Sequence, residues 1–156
     1  MLARILIVDD DPDMVDLLQT AMVAAGYAVR TATSGTQALA KARCSPPDLI
    51  LLDLLLPEVN GFTVCEALRR EPATASTLIM MITALQQEFP RMVGMEAGAD
   101  AYVRKPFDVN ELVLQVEALL QRAHDHPEAL VAARSFNGAT ATAPGLARPL
   151  PVRTDW

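Results

Sequence analysis

The 156-residue chain is long enough for one compact domain of about 100–150 residues with a modest extension, and it is too short for two full domains. Its 51% hydrophobic and 4% aromatic residues indicate a globular protein with an aliphatic core. A formal charge of −6 argues against the broad basic surface that nucleic acid requires, so we expect no direct nucleic-acid binding by this chain. The charge favours an acidic cation site instead.

Neither the cysteines nor the apolar segments indicate secretion or a membrane anchor. Cys44 and Cys65 have no C-x-x-C spacing, which predicts two reduced, packed thiols. The apolar stretch Leu49–Leu56 is interrupted by Asp53 and is far shorter than the roughly 20 residues of a membrane span. The amino-terminal run ends in Asp9–Asp11 and matches no signal peptide. We therefore expect a cytoplasmic protein with no membrane contact.

Apolar runs of strand length alternate with stretches of helical period, a pattern that predicts β-α units and a parallel sheet. The predicted strands, in chain order, are Arg4–Val8, Tyr27–Ala32, Leu49–Asp53, Leu78–Ile82 ending at Thr83, and Ala101–Val103. The predicted helices run from Pro12 to Gly26, from the Ser34 cap to Ala42, from Phe62 to Arg70, within Gln87–Ala97, and from the Asp108 cap to Arg122.

Local signals support these boundaries. Asp11 can cap the first helix with Pro12 at its first position. Asp108, with Glu111 three residues later, predicts a capping box for the last helix. The third strand is nearly all aliphatic, as expected of a central strand covered by helices on both faces, and it ends in a carboxylate, Asp53.

The chain after the last helix differs in composition. Residues 124–156 contain four prolines, seven alanines and three arginines without a sustained period, apart from one short helical pattern from Pro127 to Arg134. Every earlier helix already has a strand to pack against. We therefore assign residues 1–123 to the folded domain and residues 124–156 to a tail or linker.

Ligands of an open parallel sheet bind at the carboxyl ends of its strands, where Asp9, Asp10, Asp53, Thr83 and Lys105 are all expected. Three carboxylates in one place repel each other unless a hard cation shares the site. Mg²⁺ is the natural candidate, because it takes oxygen ligands and the site offers no imidazole or thiolate for zinc. A carboxylate can also act as a nucleophile towards phosphorus.

These residues together resemble the receiver domains of two-component response regulators, over roughly residues 2–123. The matching features are the acidic pair Asp9-Asp10, the phosphoacceptor Asp53 with Pro57 and Gly61 in the following loop, Thr83-Ala84, the switch aromatic Tyr102, and Lys105-Pro106-Phe107 with a cis-proline. The resemblance implies a flavodoxin-like, doubly wound (βα)5 fold whose five parallel strands are in the order 2-1-3-4-5.

By the same resemblance, a sensor histidine kinase or histidine phosphotransfer protein donates a phosphoryl group to Asp53. Mg²⁺ would be held by Asp10, Asp53 and the backbone carbonyl of Leu55, with Asp9 acting partly through water. The resemblance assigns Asp53, Lys105 and Thr83 to the phosphoryl group, and Asp9, Asp10, Asp53 and Leu55 to the metal. It assigns Thr83 and Tyr102 to the switch, and Lys105 and Pro106 to the cis-proline turn.

The implied output is a change of one surface. Thr83 would move to hydrogen-bond the phosphoryl group, and Tyr102 would turn inward. The face made by the fourth helix, fifth strand and fifth helix would then change and control a downstream protein or effector domain. The chain would be a signalling switch rather than an enzyme, catalysing only its own phosphoryl transfer and slow dephosphorylation.

Several alternatives compete with this interpretation. A haloacid-dehalogenase-type phosphatase requires a second Asp two residues after the nucleophile, where this chain has Leu55. A flavodoxin requires a Ser/Thr/Gly-rich phosphate loop after the first strand, where this chain has three aspartates. A non-phosphorylated pseudo-receiver that only binds protein remains open. So does an amino-terminal fragment of a larger regulator with a DNA-binding or enzymatic effector domain.

The chain departs from the family pattern at a few positions. Asn60 replaces a common Asp, and Ala101 and Gln115 replace charges that many DNA-binding relatives use to pair their dimer faces. We therefore expect a monomer or a weak, phosphorylation-dependent dimer. Leu55 and Leu85 would flank the path of the attacking water, which predicts slow self-dephosphorylation.

Overall fold

The computed structural model describes residues 2–84 and 98–128. The strands are β1 Arg4–Val8, β2 Ala28–Ala32, β3 Leu49–Asp53, β4 Leu78–Thr83 and β5 Ala101–Arg104. The helices are α1 Pro12–Ala24, α2 Gly35–Cys44, α3 Gly61–Arg70 and α4 Val109–Asp125. The helix predicted within Gln87–Ala97 lies outside the described residues. None of the helices in the described ranges has the length and apolar character needed to cross a bilayer.

All five strands are parallel and lie in the order β2-β1-β3-β4-β5, which confirms the predicted sheet. Each crossover between parallel strands requires a helix, and α1 to α3 occupy three of these connections. Every residue of β3 and of β4 is buried, as the predicted central position of the third strand requires.

The alternation of side chains along the strands divides the core into two layers. On one face, Ile7 and Leu51 pack with residues of α1 and α4; the buried helix residues of this layer are Leu18, Met22, Leu112, Val116 and Leu119. On the other face, Leu6 and Leu52 pack with residues of α2 and α3; the buried helix residues of this layer are Ala38, Ala42, Val64, Cys65 and Leu68. The domain is therefore doubly wound.

Six of the nine described elements differ from the prediction at one end, by one to three residues. The second strand begins at Ala28, one residue late, because the amide of Tyr27 still donates to the carbonyl of Met22 at 3.1 Å. Gly26 supports this helix ending with a φ of 99°. Three other elements extend beyond their predicted ends: α2 continues to Cys44, β5 to Arg104 and α4 to Asp125, two residues beyond the predicted domain boundary.

The helix caps are supplied by polar side chains at the first position outside each helix. The Asp11 carboxylate accepts a hydrogen bond from the amide of Asp13, as predicted, at 3.0 Å. The Asp108 carboxylate accepts from the amides of Asn110 and Glu111 at 2.8 and 3.2 Å. Asn60, a departure from the family pattern, caps α3, which begins one residue before the predicted start.

Arg69 on α3 is the centre of a buried polar network that the sequence did not indicate. Its guanidinium donates to the carbonyls of Gly98, Ala75 and Thr77 at 2.9, 3.0 and 2.6 Å. It also pairs with Asp100 at 2.8 Å, and the Asp100 side chain has no exposed surface. One side chain thus connects α3 to the segments that lead into β4 and β5.

We expect Arg69→Met to lower the free energy of unfolding by about 3–5 kcal/mol, because the buried Asp100 carboxylate would lose its guanidinium partner. Arg70→Met is the matched control, since Arg70 is exposed on the same helix and should cost less than about 0.5 kcal/mol. Urea unfolding monitored by circular dichroism measures both. Equal midpoints for the two variants would contradict this role for Arg69.

Candidate functional site

The register of the sheet brings the predicted site residues to one edge. Val8 pairs with Leu52 across β1 and β3, and Asp53 pairs with Ile82 across β3 and β4. The strands therefore end at nearly the same level, and the residues that follow them share the carboxyl edge of the sheet. Four chain segments far apart in sequence, at the ends of β1, β3, β4 and β5, contribute predicted site residues to this edge.

Asp9 is buried and firmly oriented. Its side chain is nearly inaccessible, with 2% of the residue exposed. Its backbone amide donates to the carbonyl of Ala32 at 3.1 Å, and its Oδ1 accepts from the amide of Asp11 at 2.9 Å. The sequence had suggested Asp11 only as a helix cap. Its backbone also holds the neighbouring carboxylate in place.

Lys105 bridges the two buried carboxylates. Its Nζ lies 3.1 Å from Asp9 Oδ2 and 3.6 Å from Asp53 Oδ2. Asp53 Oδ1 accepts from the amide of Leu55 at 3.2 Å. Asp10 is exposed, and one carboxylate oxygen from each of Asp9, Asp10 and Asp53 lies within 4.8 Å of the others. The structure therefore brings together all four charged residues predicted for the site.

Burial and the neighbouring charges shift the pKa of the Asp53 carboxyl group. The pKa of Asp53 is raised to about 6, chiefly by burial and also by the charges of Asp9 and Asp10. Lys105 and the amide of Leu55 act in the opposite direction and lower this pKa. One ammonium faces three carboxylates, so the site retains excess negative charge when all of them are ionised.

The loop after β3 is packed closely against the strand end. The amide of Gly61 donates to the carbonyl of Leu54 at 2.8 Å, and a Cβ on Gly61 would lie 2.6 Å from the carbonyl oxygen of Asp53. Glu58 in this loop has a φ of 69°, a region that non-glycine residues seldom adopt. Leu55 is 54% exposed at the mouth of the site.

Of the predicted switch and turn residues, Thr83, Lys105 and Pro106 also lie at this edge, whereas Tyr102 lies within β5 and pairs with Met81 of β4. Thr83 is fully buried at the end of β4, and the amide of Lys105 donates to its carbonyl at 2.7 Å. The peptide between Lys105 and Pro106 is cis. Tyr102 is 1% exposed and packs in the same core layer as Met81, so its ring already points inward in this structure. Leu85 lies outside the described residues.

The donor set fits Mg²⁺. All three side-chain ligands are carboxylate oxygens, within 4.8 Å of one another, and no His or Cys of the described residues joins the cluster. Oxygens bound to one Mg²⁺ at about 2.1 Å can be no more than about 4.2 Å apart, so a small contraction, or water in place of one ligand, suffices. A dication would offset the charge that Lys105 leaves uncompensated.

The fold and the acidic edge together define a class of protein. The chain belongs to the response regulator receiver domain family, whose model matches residues 5–117. This family works in signalling, and its members generally bind Mg²⁺ at an acidic pocket.

Two full-length transcriptional regulators show the relationship in sequence. The chain is 48% identical over 126 residues to the DNA-binding dual master transcriptional regulator RpaA of Synechocystis, covering 81% of this chain and 52% of that protein. It is 43% identical over 120 residues to the alkaline phosphatase synthesis transcriptional regulatory protein PhoP of Bacillus subtilis, covering 77% and 49%. The chain spans about half the length of these relatives.

Solved structures show the same relationship in three dimensions. A response regulator from Chloroflexus aurantiacus matches with a TM-score of 0.75 and 39% identity, over 78% of this chain and all of that one. A CheY-like receiver domain protein from Methanospirillum hungatei matches with a TM-score of 0.76 and 29% identity, over 80% and 98%. Both confirm the flavodoxin-like fold predicted from the sequence.

The raised pKa of Asp53 predicts a pH-dependent cost of folding. A carboxyl group whose pKa is higher in the folded state binds its proton more tightly there, so stability falls as the pH rises from about 4 to about 6. Asp53→Asn removes this cost. We expect the variant to be more stable than the wild type by about 1–3 kcal/mol at pH 8 and by much less at pH 4, without divalent cations.

Chemical denaturation across this pH range measures the difference. Asp16→Asn is the control, because Asp16 is exposed on α1 and its substitution should leave the pH profile unchanged. A stabilisation by Asp53→Asn that is the same at pH 4 and pH 8 would contradict the raised pKa.

Proposed function

We propose that the chain is a phosphorylatable signalling switch in which Asp53 accepts a phosphoryl group from a sensor histidine kinase or a histidine phosphotransfer protein in the cytoplasm. The observation that carries the proposal is the position of the Asp53 carboxylate: it ends the buried strand β3, 3.6 Å from Lys105 and within 4.8 Å of two further carboxylates. Nucleophile, cation site and phosphate-binding ammonium are thus adjacent.

The proposed reaction is a displacement at phosphorus. A carboxylate oxygen of Asp53 attacks the phosphorus of a phosphohistidine, the P–N bond breaks, and the electron pair leaves with the imidazole of the donor. The product is an acyl phosphate on Asp53. Lys105 is placed to pair with the phosphoryl oxygens, because its ammonium already lies against the Asp53 carboxylate. Catalysis is therefore confined to the protein's own modification.

We assign the metal site of this reaction to Asp9, Asp10, Asp53 and the backbone carbonyl of Leu55, on the chemistry of the donor set. A bound Mg²⁺ supplies positive charge that offsets both the carboxylates and the phosphoryl oxygens. The amide of Asp11 keeps Asp9 Oδ1 oriented, so Asp9 is suited to act through water. Lys105 contributes the remaining positive charge.

We assign the structural response to phosphorylation to Thr83 and Tyr102. Thr83 ends β4 beside Asp53, and the proposal is that its hydroxyl donates to the new phosphoryl group. The ring of Tyr102 is already buried here, so phosphorylation would increase the population of an inward state rather than create it. The surface of β5 and its flanking helices would pass the change to a downstream protein or effector domain.

The chain covers only about half of the length of its curated relatives, which favours a second version of the proposed signalling function. RpaA and PhoP are named as DNA-binding or transcriptional regulators, and this chain spans about half of each. In this alternative, the chain is the amino-terminal receiver of a larger regulator, and its effector is a DNA-binding domain in the same polypeptide. The acidic receiver itself would contribute no nucleic-acid contacts.

Phosphoryl transfer is testable with a small phosphodonor such as acetyl phosphate and Mg²⁺. We expect wild-type protein to take up one phosphoryl group, and Asp53→Asn to take up none, because the amide is not nucleophilic. Asp16→Asn should react like the wild type. Phosphate-affinity electrophoresis measures the modified fraction, and beryllofluoride with Mg²⁺ should change the spectra of the wild type and of Asp16→Asn but not those of Asp53→Asn. Equal labelling of wild type and Asp53→Asn would refute the assignment.

The lifetime of the acyl phosphate is a separate prediction. Leu55 presents an apolar side chain at the mouth of the site, where by the family resemblance it flanks the path of the attacking water. We expect loss of the phosphoryl group to take many minutes or longer. Leu55→Asn should shorten this lifetime, since a polar side chain can orient water, whereas loss within seconds from the wild type would contradict the prediction.

A further inference from the structure

A large cleft lies at the edge of the sheet opposite Asp53. It has a volume of about 1020 Å³ and is bordered by the residues that precede β1, β3 and β4 and by the last turns of α4. We call it the basal cleft. Its lining includes Leu2, Tyr27, Asp48, Glu117, Leu120 and Ala123. Nothing in the proposed phosphoryl chemistry uses this end of the molecule.

The basal cleft combines apolar surface with the carboxylates of Asp48 and Glu117. Arg4 also lines it, but its guanidinium already donates to Ser45 and Pro46. Leu2 is 61% exposed beside it, and Leu120 is only partly buried. Tyr27 and Glu117 both line the cleft; burial raises the pKa of the Tyr27 phenol, and the negative charge of Glu117 also raises it. The cleft is therefore suited to a segment with apolar residues and a cation.

The chain itself leaves the domain at the rim of this cleft. Ala123 lines it, and α4 ends two residues later at Asp125. His126 interrupts the helix with a φ of −138° and a ψ of 64°, and its amide donates to the carbonyl of Arg122 at 2.8 Å. Helical geometry resumes at residues 127–128. The helix is thus interrupted at the rim of the cleft, directly before residue 127.

The composition of that segment matches the cleft. Residues 129–156 contain three arginines and one acidic residue, Asp155, whereas the preceding residues contain eighteen of the nineteen acidic residues. The helical pattern from Pro127 to Arg134 places Leu130 and Arg134 one turn apart on the same face. This face offers one large apolar side chain and one guanidinium.

We propose that residues 127–136 dock in the basal cleft of their own chain, with Leu130 against the apolar side of α4 and Arg134 towards Glu117. The segment needs no long connection, because it starts at the rim. Docking would hold whatever follows residue 136 at the edge of the domain farthest from Asp53. The proposal is independent of phosphoryl transfer.

Trypsin cleavage in the full chain tests this docking. The bond after Arg134 lies in the segment, and the bond after Arg153 lies beyond it and serves as an internal reference. Cleavage of a docked segment follows the population of its open form. We expect Leu130→Asp and Glu117→Lys each to accelerate cleavage after Arg134 by about tenfold or more, with cleavage after Arg153 unchanged.

Two matched controls accompany these variants. Leu146→Asp makes the same change in the tail beyond the segment, and Glu66→Lys makes the same charge change on an exposed position of α3; both should leave cleavage after Arg134 at the wild-type rate. Equal rates after Arg134 in wild type, Leu130→Asp and Glu117→Lys would overturn the proposal. Protection that grows with protein concentration would also overturn it, because the occupant would then be a second copy.

Discussion

The burial of two carboxylates beside one another is the constraint on which the rest of the site depends. Asp9 and Asp53 end neighbouring strands, where the sheet and the helices exclude most water. Their repulsion is offset in the resting protein by the Lys105 ammonium, at 3.1 and 3.6 Å. The residual negative charge of the site favours binding of a divalent cation. The cation and the Lys105 ammonium can then offset the negative charge of a phosphoryl group.

Much of the fold was predictable because each local signal agreed with the next. The aliphatic run of β3 and the carboxylate at its end identified both the centre of the sheet and the site. Asp11 and Asp108 cap helices where the sequence predicted caps. The sheet order and the roles of Leu55, Tyr102 and Pro106 came from the family resemblance, since periodicity alone does not specify which parallel strands are neighbours.

Other features depend on contacts that no local pattern encodes. Arg69 and Asp100 are 31 positions apart, and each alone resembles an ordinary surface charge. Asp48 accepts from the amide of Arg4 at 2.7 Å across 44 positions. The orientation of Asp9 by a backbone amide, and the inward ring of Tyr102, likewise require coordinates. Sequence reasoning predicted which charged groups lie together at this edge of the sheet better than it predicted the hydrogen bonds that position them.

The bridge from Lys105 to Asp9 joins residues 96 positions apart, almost the whole length of the domain. A contact of such sequence separation forms only when the loop closure it demands is compensated by the packing of the strands in between. The acidic edge without β5 would be a cluster of like charges with no ammonium. A nascent chain that has not yet placed β5 therefore lacks the ammonium of the site. The complete arrangement of charges forms only after the last strand has joined the sheet.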